Sequence, residues 1–377
     1  MMNSYTQCNR CILDTNDDSE IFFDKEGICN HCRSYEQVAK TYLYNDHDKK
    51  IELENLVAKI KADGIRKKYD CLLGVSGGVD STYLAYLAKE YNLRPLLIHF
   101  DNGWNSELAV KNIEQICKYT GFDLFTYVVN WEEFKDIQLS YIKASVLDWE
   151  VPTDHALYAV LLRKAKELNI KYILSGANYQ TEGILPKSMR WDKADLANLK
   201  AIHKKFGTKK IKTFPTYGFW WHQYLKFVWG LQTVNILYYI EYNKKIIKEF
   251  LINKIGWRDY GGKHYESIFT KFYQGYVLKE KFHVDKRKAH LSSMICSGQI
   301  SRMDALKELQ ISPIDADLLN SDIDYFIKKM RITREEFDNI MKAPVRSHRE
   351  FKSYENIEYP LFKFFLKFCL KIKNALK

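Results

Sequence analysis

Residues 71–81 read CLLGVSGGVDS, from Cys71 to Ser81, and join an apolar run to a glycine turn and a helical pattern. The run from Cys71 to Val75 has the length and composition of a buried strand. Two adjacent glycines let the backbone approach an anion, and the N-terminus of the following helix supplies further N–H donors. The stretch therefore predicts a strand, a phosphate-binding loop over 76–81 and a helix.

Similar apolar runs follow along the chain and alternate with helical patterns. The runs occupy 95–100, 124–129 and 172–174, and the helical patterns lie near 51–66, 106–119, 131–148 and 154–168. Short apolar strands separated by helices are typical of a parallel sheet covered on both faces. We therefore expect an α/β, Rossmann-like domain over 50–215, whose ligands collect at the carboxyl ends of the strands.

The composition describes a globular protein of two to three domains. The chain has 377 residues, 46% of them hydrophobic, and 58 Lys+Arg against 47 Asp+Glu give a net charge of +11. These values exclude disordered and fibrous classes, and a surplus of this size does not require a nucleic-acid partner. The start of the chain lacks the pattern of a secretory signal, so we expect a cytoplasmic protein.

Four cysteines form two pairs near the start of the chain. Cys8 and Cys11 are separated by two residues, as are Cys29 and Cys32, and seventeen residues lie between the pairs. Each pair can place two thiolates on one side of a tetrahedral ion. The pattern predicts a closed, structural zinc site in a zinc ribbon over 1–45.

The glycine loop also carries side chains suited to phosphate chemistry. Ser76 and Ser81 add hydroxyl donors to the backbone groups of Gly77, Gly78 and Val79, and the Walker pattern of Gly-x4-Gly-Lys-Ser/Thr is absent from the sequence. Asp80 would place a carboxylate beside a polyphosphate, which requires a divalent cation between them. The loop therefore predicts Mg²⁺ bound at Asp80.

After residue 215 the sequence becomes rich in aromatic residues and lysine, with helical spacing. We expect a mainly helical substrate or partner domain over 216–350. Residues 256–267 read GWRDYGGKHYES and combine cations, an acid and aromatics, which indicates a binding loop or a charged surface turn. Arg258 and Lys263 are candidates for stabilising charge in a transition state, and Glu266 is a candidate acid, base or metal ligand. The candidate substrate-binding residues are Lys263, His264, Lys271, Lys286 and Arg287.

The last segment, 351–377, predicts a basic amphipathic helix. Lys363, Lys367 and Lys371 are four residues apart on an otherwise apolar stretch. Such a helix needs a surface to cover. Its own domain, another subunit and the anionic face of the inner membrane remain alternatives.

The run Ser-Gly-Gly-x-Asp-Ser at 76–81 resembles the pyrophosphate loop of the PP-loop ATP pyrophosphatase superfamily, which has a HUP-like fold. The resemblance implies that ATP is cleaved between its α and β phosphates, that AMP is transferred to a substrate oxygen, and that a nitrogen or sulfur nucleophile then displaces AMP. It also implies that the nucleoside lies across neighbouring strand ends. The corresponding positions here are His99, Asp101, Ser175, Gly176 and Asn178.

The cysteine pairs, the loop and the run at 256–267 together resemble the N-acetyl sugar amidotransferase family of bacterial LPS O-antigen and surface-polysaccharide pathways. The resemblance extends to about residue 341. It implies adenylation of the acetamido carbonyl of a nucleotide-activated N-acetyl sugar, and replacement of its oxygen by ammonia to give an acetamidino group. It further implies a separate glutaminase partner with a cyclase-like ammonia-channel subunit, since the chain has no Gly-x-Cys-x-Gly elbow.

A tRNA-modifying enzyme of the same superfamily, of the thiolation or lysidine type, is the main alternative. A zinc ribbon joined to a pyrophosphate loop also resembles certain tRNA thiolases. Thiolation usually requires paired reactive cysteines, and the remaining cysteines, Cys71, Cys117, Cys296 and Cys369, are far apart in the sequence.

Overall fold

A computed structural model describes residues 5–42, 46–262 and 265–364 of the chain. Its centre is a parallel sheet of five strands in the order β3-β2-β1-β4-β5. The strands are β1 (Cys71–Gly74), β2 (Pro95–Asp101), β3 (Leu124–Val128), β4 (Tyr172–Leu174) and β5 (Gln232–Val234). The predicted α/β class and its four strands are confirmed.

Helices surround the sheet and form most of the chain after residue 240. The first eight are α1 (Asn30–Tyr42), α2 (Asp46–Asp63), α3 (Val79–Glu90), α4 (Glu107–Thr120), α5 (Trp131–Ala144), α6 (Val151–Glu167), α7 (Tyr179–Glu182) and α8 (Leu196–Phe206). They are followed by α9 (Phe219–Phe227), α10 (Lys244–Ile255), α11 (Ile268–Phe272), α12 (Leu278–Phe282), α13 (Arg287–Cys296), α14 (Arg302–Gln310), α15 (Ala316–Met330) and α16 (Arg334–Lys342).

Alternate residues of the central strand bury opposite faces of the sheet. Leu72 belongs to the core formed with α5, α6 and α8, whereas Cys71 and Leu73 belong to the core formed with α2, α3, α4 and α10. The chain moves outward from β1 to β3 and then returns to place β4 on the other side of β1. The crevice at this reversal, at the carboxyl ends of β1 and β4, is where such sheets bind ligands.

The sheet extends beyond the predicted domain boundary at residue 215. β5 pairs with β4 in parallel, with Leu174 opposite Val234, and α10 packs on α3. The sequence shows little of this strand because it has three residues, of which Gln232 and Thr233 are exposed. Residues 216–255 therefore contribute to the α/β domain, and the mainly helical region begins after them.

The cysteine-containing N-terminal segment packs on the C-terminal helices. Lys288 of α13 forms ion pairs with Asp14 at 2.7 Å and with Asp17 at 3.0 Å. The Arg302 Nε donates to the Cys11 carbonyl at 3.0 Å. The predicted ribbon is thus held against α13 and α14 by charged contacts.

Residues 358–364 form a helical segment, which we call the C-terminal helix, and its Phe362 packs against α9. The Phe362 ring lies 5.6 Å from the Phe219 ring and 5.7 Å from the Phe227 ring. Lys363 is described, whereas Lys367 and Lys371 lie outside the described residues. None of the helices in the described part of the chain combines the length and apolar character needed to cross a bilayer.

Candidate active site

The backbone of the glycine loop is fixed by contacts from two other segments. The Gly77 carbonyl accepts hydrogen bonds from Trp257 Nε1 at 2.9 Å and from Asn112 Nδ2 at 3.2 Å. Gly77 has φ of +78°, and an added Cβ would lie 2.3 Å from the Ala109 carbonyl oxygen. Glycine is required here by both backbone conformation and space.

The two predicted serines lie side by side at the start of α3. Their hydroxyls are 3.4 Å apart, and Ser76 Oγ accepts from the Gly78 N–H at 3.2 Å. Gly78 is the N-cap residue of α3 and offers no side-chain cap. The first N–H groups of α3 and both hydroxyls therefore surround the place where the sequence predicts a phosphate chain.

Two buried residues hold Asp80. The Asn178 Nδ2 donates to Asp80 Oδ1 at 3.0 Å, and the Tyr242 hydroxyl donates to the same oxygen. Burial, followed by the charge of Asp80, raises the pKa of Tyr242 well above its usual value, so the phenol stays protonated as a donor. Asn178 also caps α7 by accepting from the Thr181 N–H at 2.8 Å. Asn178 is thus a positioning residue for Asp80.

A cavity of about 260 Å³ opens at this loop, at the ends of β1 and β4. It is lined by Ser76, Gly78, Val79, Asp80, Ser81, Gly176, Ala177, Glu182, Lys244, Lys248, Tyr260, Gly262 and Glu266. The structure therefore brings together the predicted loop, the second predicted strand end and Glu266. We call this cavity the phosphate cleft.

His99 and Asp101 are near the phosphate cleft but do not line it. The His99 Nδ1–H donates to the Val75 carbonyl at 3.1 Å, and Asn105 donates to His99 Nε2 at 3.2 Å. Asp101 accepts from the Gly103 N–H at 2.9 Å and from Asn105 at 3.2 Å. Both side chains organise the turn after β2.

Part of the run at 256–267 lines the phosphate cleft, namely Tyr260, Gly262 and Glu266. Only one of the predicted residues, Glu266, is among them. A Cβ added to Gly78 would lie 3.2 Å from Glu266 Oε1 and 3.3 Å from the Tyr260 hydroxyl. Arg258 is exposed and does not line the cleft; its backbone is bonded to Asn112. Lys263 and His264 lie outside the described residues.

A second cavity of about 550 Å³ adjoins the first across Tyr260, which lines both. Its lining is Ser106, Leu108, Tyr260, Tyr265, Ile268, Lys271, Ser321, Asp322 and Tyr325. Lys271 forms an ion pair with Asp322 at 3.0 Å. Aromatic rings with a few hydroxyls and one ion pair suit a small polar ligand with apolar faces. We call this cavity the tyrosine pocket.

The two remaining candidate substrate residues, Lys286 and Arg287, lie elsewhere. Lys286 is 3.5 Å from Glu150, and the Arg287 guanidinium pairs with Asp285 at 2.7 Å. Arg287 also donates to the Ile311 carbonyl at 2.7 Å. The Lys286 contact joins the start of α13 to the start of α6, and the Arg287 contacts lie within the C-terminal region. Neither side chain lines the cleft or the pocket.

Three side chains of the site were not predicted from the sequence: Tyr242, Lys244 and Lys248. Tyr242 follows β5, a strand that the pattern did not reveal. Lys244 and Lys248 are one helical turn apart at the start of α10, so they share a face, and Lys248 pairs with Asp259 at 2.7 Å. The spacing of these two lysines already indicated a shared helix face. Because β5 was not predicted, the sequence did not indicate that α10 lies beside the loop.

The four N-terminal cysteines form one buried cluster. Their sulfur atoms all lie within 4.8 Å of one another, with Cys8 and Cys32 at 3.9 Å and Cys11 and Cys29 at 3.7 Å. A tetrahedral ion bound at about 2.3 Å from each thiolate separates its ligands by about 3.8 Å. The cluster therefore fits zinc.

A fifth cysteine, Cys296, lies beside this cluster, a contact that the sequence did not predict. Its Sγ lies 3.6 Å from the Cys32 Sγ, and its side chain is buried. The separation of 264 residues is closed because α13 packs against α1. Cys296 nevertheless lies outside the group of four mutually close sulfurs.

Two curated relatives match part of the chain. The tRNA(Ile)-lysidine synthase of Chlamydia pneumoniae is 31% identical over 145 residues, covering 37% of this chain and 41% of that protein. An uncharacterized protein of Methanocaldococcus jannaschii is 28% identical over 174 residues, covering 45% of this chain and 58% of that protein. The chain thus spans about half the length of the curated relatives it matches.

Two solved structures also match the chain, at lower sequence identity. An NMN synthetase from Francisella tularensis is 12% identical with a TM-score of 0.38, covering 77% of this chain and 98% of that one. An NH3-dependent NAD synthetase from Campylobacter jejuni is 13% identical with a TM-score of 0.29, covering 42% of this chain and 72% of that one.

A family comparison covers the C-terminal region. Residues 266–367 match the family described as "LPS biosynthesis protein WbpG-like, C-terminal domain". The match begins at Glu266 and includes most of the lining of the tyrosine pocket, and it continues past residue 341, where we expected the resemblance to end. The C-terminal region of this chain is therefore similar to the C-terminal domain of the WbpG-like LPS biosynthesis proteins.

Proposed function

We propose that this protein is an ATP-dependent amidotransferase of bacterial LPS O-antigen or surface-polysaccharide biosynthesis. In this proposal it adenylates the acetamido carbonyl of a nucleotide-activated N-acetyl sugar, and ammonia then replaces the carbonyl oxygen. The products are an acetamidino sugar, AMP and pyrophosphate. An amide oxygen is a poor leaving group until it is adenylated, which explains the need for ATP.

One observation carries the proposal: the phosphate cleft and the tyrosine pocket meet at Tyr260. The cleft belongs to the sheet and its glycine loop, whereas Lys271, Asp322 and Tyr325 of the pocket lie in the region matched to the LPS biosynthesis family. A nucleotide in the first cavity and a sugar in the second would therefore have their reacting groups close together. Such proximity is a major part of catalysis.

The residues of the phosphate cleft have distinct roles in this reaction. The N-terminus of α3 and the hydroxyls of Ser76 and Ser81 would hold the phosphates that leave as pyrophosphate. Lys244 and Lys248 would offset the charge that develops on those oxygens, which is the role predicted for Arg258. Asp80 would hold Mg²⁺, an ion that neutralises phosphate charge when bound.

Glu266 lines the phosphate cleft near Tyr260, the residue that lines both cavities. Its carboxylate approaches Gly78, within the loop. It could accept a proton from ammonia as nitrogen attacks the adenylated carbon, while AMP leaves with the former carbonyl oxygen. Tyr260, Tyr265 and Tyr325 would stack on the sugar and its acetamido group.

The proposed enzyme also needs a structural metal and a source of ammonia. The four-cysteine cluster would bind structural zinc. Ammonia would come from a separate glutaminase through a cyclase-like channel subunit, because the sequence offers no glutaminase motif.

The experiment is to measure pyrophosphate and AMP release from ATP with ammonium chloride and a panel of N-acetylated UDP-sugars and CMP-sugars, with bulk tRNA as the rival substrate. We expect release to depend on one sugar nucleotide, whose product is lighter by about one dalton after oxygen is exchanged for NH. Release that depends on tRNA alone would instead support a tRNA-modifying enzyme, an alternative favoured by the partial match to a lysidine synthase.

A further inference from the structure

An aromatic stripe runs along the outer side of α9. Trp220, Tyr224, Phe227 and Val228 have the spacing i, i+4, i+7 and i+8, which places them on one face of the helix. Their exposed fractions are 46%, 44%, 57% and 74%, whereas Leu225 on the opposite face is fully buried. We call these four residues the aromatic face.

The C-terminal helix, residues 358–364, continues this surface. Phe362 packs on Trp220 at 6.2 Å and on Phe227 at 5.7 Å between ring centres. Beside it, Leu361 and Phe364 remain exposed, at 47% and 66%. The C-terminal helix therefore enlarges the apolar surface rather than covering it.

Lysine side chains lie at the edges of this surface. Lys226 is the only Lys, Arg, Asp or Glu between residues 217 and 234, and its Nζ lies 5.3 Å from the Phe227 ring. Lys166 lies 5.5 Å from the Tyr224 ring, and Lys363 lies 4.4 Å from the Tyr359 ring. Residues 359–377 contain five lysines and no Asp or Glu.

We propose that the aromatic face and the C-terminal helix dock this protein on an anionic phospholipid surface. Trp and Tyr rings suit the boundary between headgroups and acyl chains, and lysines are attracted to anionic headgroups. A second copy of the chain is the less favourable occupant, because it would bring two lysine-rich surfaces together. Docking is peripheral, since none of the described helices is long and apolar enough to span a bilayer. This inference does not depend on the proposed reaction.

The C-terminal helix carries one carboxylate, Glu358, and its charge is not expected to repel an anionic surface. Glu358 lines a cavity of about 560 Å³ beside α8, together with Lys200, Lys204 and Lys352. Its charge is thus accompanied by three lysines, and the surface as a whole stays basic.

The test is co-sedimentation of the full chain with vesicles of phosphatidylglycerol and phosphatidylethanolamine, compared with vesicles of phosphatidylcholine. We expect retention on the anionic vesicles that weakens with added salt. The triple variant Lys166→Gln/Lys226→Gln/Lys363→Gln should bind roughly a hundredfold more weakly, since each lysine contributes about fivefold. Trp220→Ala/Phe227→Ala should also release the protein.

A matched control removes exposed apolar side chains elsewhere. Met303 and Ile311 are 67% and 68% exposed near α14, so Met303→Ala/Ile311→Ala should leave retention unchanged. Equal binding to both kinds of vesicle, or retention of the lysine variant at the level of the unmodified chain, would overturn the proposal. So would a dimer that Trp220→Ala/Phe227→Ala dissociates without any vesicle binding, because the aromatic face would then join two copies.

Discussion

At the scale of single residues, the Tyr242 hydroxyl matters most because it positions the predicted magnesium ligand. It donates to Asp80 Oδ1, as does Asn178 at 3.0 Å. A hydrogen bond to a charged group contributes about 1.5–3 kcal/mol, so Tyr242→Phe should raise the KM for Mg·ATP by roughly tenfold or more. Steady-state pyrophosphate release, with kcat and KM determined separately, measures this effect.

The control for this prediction is Tyr83→Phe. Tyr83 lies on α3 with its ring 6.3 Å from the Tyr242 ring, so the variant removes a neighbouring hydroxyl and leaves Asp80 its donors. Equal effects of the two variants would show that Tyr242 does not act through Asp80. Asp80→Asn should abolish pyrophosphate release while leaving the fold intact.

Gly77 and Gly121 provide a second test at this scale. Both have positive φ, +78° and +74°, but a Cβ at Gly77 would meet the Ala109 carbonyl oxygen at 2.3 Å, whereas nothing lies within 4 Å of one at Gly121. Gly121→Ala should cost only about 1–2 kcal/mol of stability. Gly77→Ala should in addition displace the loop and abolish ATP binding, which calorimetric titration would detect. ATP binding by Gly77→Ala at the level of Gly121→Ala would contradict the assigned role of the loop.

At the scale of elements, α13 connects the cysteine cluster to the active site. Its Ser293 hydroxyl oxygen accepts a hydrogen bond from the Ile184 N–H at 2.9 Å, and its His290 ring donates to the Thr181 carbonyl at 2.7 Å. Both contacts are made to α7 or its end, and Asn178 caps the same helix. The ribbon is thus part of the scaffold that holds Asp80.

Metal analysis can separate the four-cysteine cluster from Cys296. Cys29→Ser should lose the metal and lower the melting temperature, because a structural zinc site contributes directly to folding. Cys296→Ser should keep one equivalent of zinc, since its sulfur lies outside the group of four. Cys117→Ser, on α4, is the control and should change neither quantity. Loss of zinc from Cys296→Ser would show that the ligand set differs from the predicted one.

At the scale of the whole molecule, two buried histidines should make stability depend on pH. The His155 Nδ1–H donates to the Lys193 carbonyl at 2.7 Å, and its Nε2 accepts from the Tyr217 N–H at 3.4 Å, an arrangement that needs the neutral ring. Burial lowers the pKa of His155 and of His348 to about 4, from a usual 6.5. Between these values the unfolded chain binds more protons than the folded one, so the free energy of unfolding should fall as pH falls from 6.5 to 4.

Each histidine contributes up to roughly 3 kcal/mol to this fall, at about 1.4 kcal/mol per pKa unit. Urea unfolding at a series of pH values measures it. His155→Gln should flatten the dependence, whereas His283→Gln, at an exposed position, should leave it unchanged. An unaltered pH profile for His155→Gln would contradict the assignment.

The sequence predicted the parts of the fold and site that depend on local pattern. The strand and glycine turn at 71–81, the strand end at Gly176 and the cysteine pairs are short motifs, and the structure places them as expected. The sequence did not reveal β5, the role of Tyr242 or the position of Cys296, because these depend on packing between distant segments. Arg258, Lys286 and Arg287 show the same limit, since charge alone does not say whether a cation faces a cavity or a neighbouring acid.

The most direct test of the central claim follows the carbonyl oxygen. The N-acetyl sugar nucleotide that supports pyrophosphate release is prepared with heavy oxygen in its acetamido carbonyl, and AMP is then analysed by mass spectrometry. We predict that the label appears in AMP and is lost from the sugar, because the oxygen attacks the α-phosphate and leaves with it. Label retained in the sugar while AMP forms from ATP would contradict the proposed adenylation.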